Sequence, residues 1–261
     1  MYYVIQENLF KEYHFNTLRE YLERYKLGYE VVKYVPFVHE IQHKTDRKDV
    51  WCFGSVNMAF AAKKYNWSPG SMYNENHDVN VYGKHYGDNM LNSDGIILKV
   101  GEPLPESLPY AFFARPTHDT KSFSGQCFTK DSWKEWIDKV VQDEEVFRLL
   151  SKETEIVVAP LKTIQQEIRC WIVNGKPVTI SQYKIGSRVN YLNMDHNEEA
   201  VIFATQMAKL YCPADAFVLD ICLYNDDYKV VEINCINCSG FYDGNMSKLI
   251  QALEAKFGNN E

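Results

Sequence analysis

Two apolar runs near the C-terminus carry oxygen-bearing side chains where a core strand ordinarily tolerates none. Asp220 lies within Phe217-Val218-Leu219-Asp220-Ile221-Cys222, and Glu232 and Asn234 lie within Val230-Val231-Glu232-Ile233-Asn234. Side chains alternate along a strand, so Glu232 and Asn234 share one face while Val231 and Ile233 share the other. A carboxylate in an apolar strand is costly unless it finds a partner. Two kinds of partner fit: a Lys or Arg side chain, or a hard cation held by converging oxygens. Magnesium takes a few carboxylate oxygens and completes its shell with water and phosphate.

A basic set answers the acidic one. Arg115, Lys121, Arg169 and Lys184 each lie in or just beyond an apolar strand, where a long cation is less expected than on a helix surface. Lys121-Ser122-Phe123-Ser124-Gly125 joins a cation to a small-residue turn whose backbone N–H groups suit phosphates. It is not a Walker loop, since G-x-x-x-x-G-K-[ST] is absent; an ordinary hairpin turn has the same composition.

Around these residues the chain alternates strands and helices. Residues 3–5 read as a short strand. Phe15, Leu18, Leu22 and Tyr25 recur at helical spacing, predicting a helix over 15–27 with Gly28 placed to end it. A strand follows at 29–35, a polar loop at 39–48, a buried strand at 49–55 and a helix at 56–65. This order predicts a small α/β unit with parallel pairing. Residues 68–108, rich in Gly, Asn, Pro and Asp, read as irregular, with a unit boundary near Pro103–Pro109. Beyond it come strands at 110–115 and around 126–128, a helix at 131–150 and a strand at 155–160. A hairpin of 167–173 and 177–184 turns at Asn174-Gly175. A helix at 197–211, a second hairpin of 216–223 and 228–233, and a closing helix at 243–257 complete the chain.

Composition narrows the function classes. The formal charge of -7 argues against a general nucleic-acid binder, which needs a basic face. No run reaches the ~18 apolar residues of a membrane span, and the N-terminus lacks a leader pattern, so a cytoplasmic protein with no membrane association is expected. Seven cysteines lie mostly in apolar strands, as small buried hydrophobes in a reducing compartment do. Cys235 and Cys238 have C-x-x-C spacing but lack the second ligand pair of a structural zinc site.

The order of these parts resembles the ATP-grasp superfamily of carboxylate–amine ligases. The residues that carry the resemblance are Arg115-Pro116, Lys121-Ser122-Phe123-Ser124-Gly125, Val157-Val158-Ala159-Pro160-Leu161, Glu167-Ile168-Arg169 running on to Gly175, and Asp220 with Glu232-Ile233-Asn234. More narrowly, Arg-Pro…Asp-x-Lys-Ser-Phe-x-Gly and Asn-x-Ser-Gly-Phe-Tyr resemble a clade found in bacteria and their phages. The resemblance implies an ATP-grasp fold of class α/β (α+β): a pre-ATP-grasp domain at 1–108 and two α+β subdomains clasping ATP at 109–261. It implies that Arg115, Lys121 and Lys184 hold the ATP phosphates, with Ser122 to Gly125 as a lid. The adenine hinge would be Val158, Ala159 and Leu161, with Glu167 near the ribose. Arg169 and Lys121 would be catalytic, Arg169 touching the transferring phosphoryl group or a substrate carboxylate. Asp220, Glu232 and Asn234 would hold magnesium (Mg2+). Two departures stand out: Ala159-Pro160 replaces the acidic hinge residue, and Cys235-Ile236-Asn237-Cys238 replaces the Pro-Gly that many relatives carry.

The implied reaction is ATP-dependent C–N bond formation through an acyl phosphate, acting on a small-molecule, amino-acid or peptide/protein substrate. Alternatives are a kinase on the same fold and a nucleotide-binding protein without turnover. A nucleotidyltransferase fits less well, because Lys121 lacks the Lys-x-Asp/Asn-Gly context. His118 is a candidate base, and Arg188, Tyr191, Asn237 and Ser239 are candidate acceptor contacts.

Overall fold

The computed structural model describes residues 1–7, 12–35, 40–119, 122–142 and 150–258. The chain opens with β1 (Tyr2–Gln6), α1 (Glu12–Arg24), β2 (Tyr29–Val32), β3 (Tyr34–Val35), β4 (Glu40–Ile41), β5 (Val50–Phe53) and α2 (Val56–Tyr65). β1 pairs in parallel with β2 on one side and β5 on the other, as the strand–helix order predicts. Tyr3, Ile5, Trp51 and Phe53 face one way, while Val4, Val50 and Cys52 face Met58, Ala61 and Ala62 of α2. A parallel sheet buried on both faces explains why these strands are so uniformly apolar.

Two local expectations are corrected here. α1 ends before residue 27: the Leu27 N–H donates to the Leu22 carbonyl (2.9 Å) around Lys26, which takes a left-handed φ of 55°. Gly28 serves a different purpose, since a Cβ there would stand 2.7 Å from the Tyr2 ring. The strand expected over 29–35 is divided into β2 and β3, and the expected loop at 39–48 contains β4, which pairs with β3.

Next come α3 (Val79–Tyr86), β6 (Ile96–Lys99), β7 (Ala111–Pro116), β8 (Gln126–Thr129), α4 (Lys130–Gln142) and β9 (Glu155–Pro160). The four strands form an antiparallel sheet in the order β6-β9-β7-β8. Leu98, Phe112, Ala114, Phe128, Ile156 and Val158 pack on Trp133 and Val140 of α4. Alternation therefore sends Phe113 and Arg115 to the opposite face. α3 and β6 lie in the stretch read as irregular. The helical repeat of α3 rests on Val79, Tyr82 and Tyr86 rather than on aliphatics. The division expected at 108/109 cuts this sheet, because β6 precedes it and pairs with β9. The end of the helix expected over 131–150 falls partly on residues outside those described.

The last part comprises β10 (Gln166–Val173), β11 (Lys176–Ile185), β12 (Arg188–Asn193), α5 (Glu198–Leu210), β13 (Ala216–Tyr224), β14 (Asp227–Asn234) and α6 (Met246–Phe257). They build a five-stranded sheet in the order β12-β11-β10-β13-β14. Its two tight hairpins turn on Asn174-Gly175 (φ 51° and 71°) and Asn225-Asp226 (φ 51° and 63°), the left-handed pairs that two-residue hairpins require. Ile168, Cys170, Ile172, Leu219 and Ile221 face α5 and the α3 tyrosines. On the other face Trp171, Val173, Ala216 and Val218 join Tyr3, Ile5, Trp51 and Phe53, with Leu249, Ile250 and Leu253 of α6. The first and last sheets thus share one core. No helix among the described residues is long and apolar enough to cross a membrane.

Candidate functional site

Past Trp171 and Val218, the same face of the five-stranded sheet leaves the core and carries Glu167, Arg169, Asp220, Glu232 and Asn234. Register sets Arg169 opposite Asp220 and Asp220 opposite Glu232, a row across β10, β13 and β14. Arg169 donates from Nε and Nη2 to the two oxygens of Asp220 (2.9 and 2.7 Å), and from Nη1 to the Gly240 carbonyl (3.3 Å). Asn234 Nδ2 donates to Asp220 Oδ2 (3.0 Å) and to Glu232 Oε1 (2.9 Å). From the facing sheet, Arg115 Nη1 reaches Glu232 Oε2 at 2.7 Å. Lys184 Nζ and the Tyr183 hydroxyl each donate to Glu167 at 2.7 Å.

Burial and pairing set the charges. Burial works against the charge on Arg169, and the Asp220 carboxylate more than offsets it, so its pKa stands above the ordinary value. Arg115 behaves likewise beside Glu232. Burial pushes the Asp220 carboxyl up, opposed by its contact with Arg169. Tyr183 is raised well above its usual range by burial first, so its hydroxyl keeps the proton it donates to Glu167.

A cleft of about 740 Å³ separates the two sheets. One wall is Phe113, Arg115, Asp119 and Gly125 to Cys127; the other is Glu167, Arg169, Tyr183, Lys184, Glu232 and Asn234. Pro160 to Ile164 line it as well. Of the expected site residues, the structure therefore brings Arg115, Gly125, Leu161, Glu167, Arg169, Lys184, Glu232 and Asn234 together on one cavity. Asp220 stands directly behind Arg169, 1% exposed. Val158 and Ala159 do not line the cleft: Val158 is paired with Ile96 and Ala114, and Ala159 with Phe113. The hinge residues that do line it begin at Pro160. Ser122 lines a neighbouring cavity of about 370 Å³ with Pro116 and His118, and Lys121 lies outside the described residues.

The acidic corner suits magnesium in its chemistry. Two carboxylates and an amide offer the oxygen ligands it takes, the Asn234 amide by turning Oδ1 inward. Among the described residues no cluster of three or more His, Cys, Asp or Glu side chains is arranged to hold a metal, so an amide must complete this set.

A family model that describes an ATP-grasp domain, the third family of its clade, matches residues 26–253. The chain belongs to this ATP-grasp family. Three solved structures share its fold at low sequence identity. D-cycloserine synthetase DcsG is 13% identical, with a TM-score of 0.60 over 98% of this chain and 99% of that one. D-alanine–D-alanine ligase from Bacillus anthracis is 17% identical, with a TM-score of 0.56 over 99% and 94%. The ATP-grasp ligase PsnB, complexed with a precursor peptide and AMPPNP, is 12% identical, with a TM-score of 0.56 over 98% and 97%. No curated protein matches the chain in sequence.

Several residues of this ATP-grasp cleft were not singled out from sequence. The Tyr242 ring centroid lies 4.7 Å from Arg169 Cζ and 5.0 Å from the Tyr183 ring. Tyr242 itself takes a left-handed φ of 44°, costly for an aromatic residue and common at functional sites. Asp119 Oδ2 accepts from the Cys235 N–H (2.9 Å), tying the start of the Gly125 loop to the end of β14. Both residues lay inside the quoted motifs, Asp-x-Lys-Ser and Ser-Gly-Phe-Tyr. Conversely, Asn237 and Ser239 are corrected as acceptor contacts, both being 1% exposed. Asn237 Nδ2 donates to the Cys52 carbonyl (2.6 Å) and its Oδ1 accepts from Met72 N–H (2.7 Å), stitching β5 to the end of β14. Ser239 Oγ donates to the Cys235 carbonyl (2.8 Å). Arg188 is exposed on β12, Tyr191 stacks on Tyr242 (5.1 Å), and His118 Nε2 meets Asp78 Oδ2 at 2.9 Å.

Proposed function

We propose that this chain is an ATP- and magnesium-dependent ligase joining a carboxylate to an amine through an acyl phosphate. The observation that carries the reading is the row Arg169–Asp220–Glu232, met by Arg115 across a cleft in an ATP-grasp domain. Two carboxylates and two guanidinium groups stand within direct contact there. When the carboxylates hold magnesium, the metal supplies charge neutralisation on phosphate oxygens. Arg115, Lys121 and Lys184 are assigned to the phosphates, with Ser122 to Gly125 above them. Leu161 and its neighbours are assigned to adenine in place of Val158 and Ala159, and Glu167 to the ribose. Magnesium is assigned to Asp220, Glu232 and Asn234.

The chemistry follows from the leaving group. A carboxylate resists an amine because oxide would have to leave. Attack of its oxygen on the γ-phosphorus releases ADP and creates an acyl phosphate; the amine nitrogen then attacks the acyl carbon, and phosphate departs. The protein's part is positioning and charge neutralisation. Arg169, held edge-on by Asp220 and face-on by Tyr242, would meet the substrate carboxylate or the phosphoryl group in a fixed orientation. The named ligases and synthetases of the same fold support this class of reaction.

The test incubates the protein with ATP, magnesium and panels of carboxylates and amines, reading ADP and product mass together. The expected product weighs the sum of its substrates less one water, with one ADP per product. A stable phosphorylated product would overturn the reading in favour of a kinase.

A further inference from the structure

We propose that the outer edge of β12 docks an extended polypeptide, so that the ligase acts on a peptide or protein segment; this rests on the reading of the cleft given above. β12 ends the five-stranded sheet, and among the described residues no strand pairs with its outer side. Other edges in this protein are covered. β14, at the opposite end of the sheet, receives the Leu91 N–H on the Val230 carbonyl (2.8 Å). β5 exchanges bonds with Gly70 through Cys52 N–H and Val50 O (2.8 and 2.7 Å). An uncovered edge is normally guarded by lysines, proline or brevity. β12 has six residues, no proline and Arg188 as its sole charge. Its apolar side chains are instead turned to water, Val189 at 70% and Leu192 at 53% exposed.

The placement of this edge ties it to the cleft. Gly186 and Ser187 line the cleft, and β12 begins at the next residue. Its far end is fastened: Asn193 N–H donates to Asp243 Oδ2 (2.9 Å) and Asn193 Nδ2 to the Asp243 carbonyl (3.2 Å). Between these ends the Tyr191 ring lies 5.1 Å from Tyr242, whose ring covers Arg169. A strand laid on β12 therefore runs along the wall that carries the proposed carboxylate-binding guanidinium.

Hydrogen-bonding chemistry selects the occupant. A row of backbone donors and acceptors spaced about 3.3 Å apart per residue is satisfied by another extended backbone, not by a free amino acid. A second copy of the chain could offer its own β12. Charge argues against that, because Arg188 faces Arg188 in such a pair while a carboxylate-bearing segment would be attracted.

The experiment selects a displayed library of random ten-residue peptides on the full chain with AMPPNP and magnesium, then measures the best binder by fluorescence anisotropy. Methylating its backbone nitrogens one at a time should weaken binding about fivefold at alternate positions, where a main-chain bond is lost, and leave intervening positions unchanged. Val189→Lys with Leu192→Lys should weaken the unmethylated peptide about tenfold or more, with the melting temperature within a few degrees of the parent. Three results overturn the proposal: no peptide enriched; binding indifferent to alternate methylation or to the β12 variants; or a dimer in sedimentation that these variants dissociate, which assigns the edge to self-pairing. Titrating the parent with AMPPNP and magnesium separates the two readings. Failure there sinks the nucleotide assignment, while selection repeated without nucleotide still reads the edge.

Discussion

Replacing Arg169 with methionine leaves the Asp220 carboxylate 1% exposed without its guanidinium bonds at 2.9 and 2.7 Å. Hydrogen bonds to charged groups contribute about 1.5–3 kcal/mol each, and breaking a buried pair from one side costs about 3–5 kcal/mol. Asn234 Nδ2 still reaches Asp220 at 3.0 Å, which holds the expected loss to about 3 kcal/mol at pH 7. Urea unfolding of parent and variant measures it. The sign of its pH dependence follows from burial, which raises the Asp220 pKa and in the variant meets no guanidinium. A carboxyl whose folded pKa lies above its unfolded one destabilises the fold above that folded pKa and ceases to do so below it. The gap between variant and parent should therefore narrow as pH falls from 7 towards 4. Adding Asp220→Leu to Arg169→Met should restore most of the loss, because an apolar pair of similar size replaces a buried ion pair well. A loss below about 1 kcal/mol at pH 7, or a gap that does not narrow in acid, would refute the description of this pair as buried and mutually dependent.

Further expectations concern other parts of the molecule. Burial lowers the His77 pKa to about 4, below its unfolded value, so stability present above pH 6.5 is lost as pH falls towards 4. The loss is about 3 kcal/mol, and His77→Gln should flatten that limb in acid-titrated melting curves. Asn237→Ala strands the Cys52 carbonyl and the Met72 N–H, for a loss of about 2–4 kcal/mol in denaturant unfolding; a change within about 0.5 kcal/mol would mean those contacts contribute little. Glu232→Ala should weaken magnesium-dependent ATP binding about tenfold or more in calorimetry, and parent-like affinity would remove Glu232 from the metal set.

Much of this was legible in the strands. Asp220, Glu232 and Asn234 sit where alternation and apolar neighbours leave little choice of face, so their convergence follows from pairing β13 with β14. Asn174-Gly175 announces its hairpin through backbone conformation alone. The irregular reading of residues 68–108 failed because α3 is held by Tyr82 and Tyr86 against the five-stranded sheet, a tertiary reason that local propensity does not contain. β6 has four residues and exists because β9 offers it an edge. The same limit applies to the site. Asn237 looked like a ligand-facing amide in a polar turn, yet its partners are backbone groups of residues 52 and 72, far away in sequence. The alignment of Val158 and Ala159 with a hinge fixed the strand, but which end of the strand meets the cavity depends on where β6 and β7 stop pairing.

The division of one sheet face between core and cleft explains why the site is rigid. On β10, Trp171 and Val173 lie in the shared core while Arg169 and Glu167, two and four residues back, line the cleft. On β13, Val218 and Asp220 divide in the same way, and the pairs Trp171↔Val218 and Arg169↔Asp220 belong to one uninterrupted register. A slip of one residue would turn Arg169 and Asp220 beneath α5 and bring Ile168 and Leu219 to the cleft. That slip is opposed on both faces: Trp171 and Val218 would leave the N-terminal core, and Cys170 and Ile172 would leave the α5 core. The apolar residues that stabilise the sheet thereby also hold the guanidinium–carboxylate row in place. The orientation of Arg169 is thus set by core packing two residues away as well as by its own bonds to Asp220.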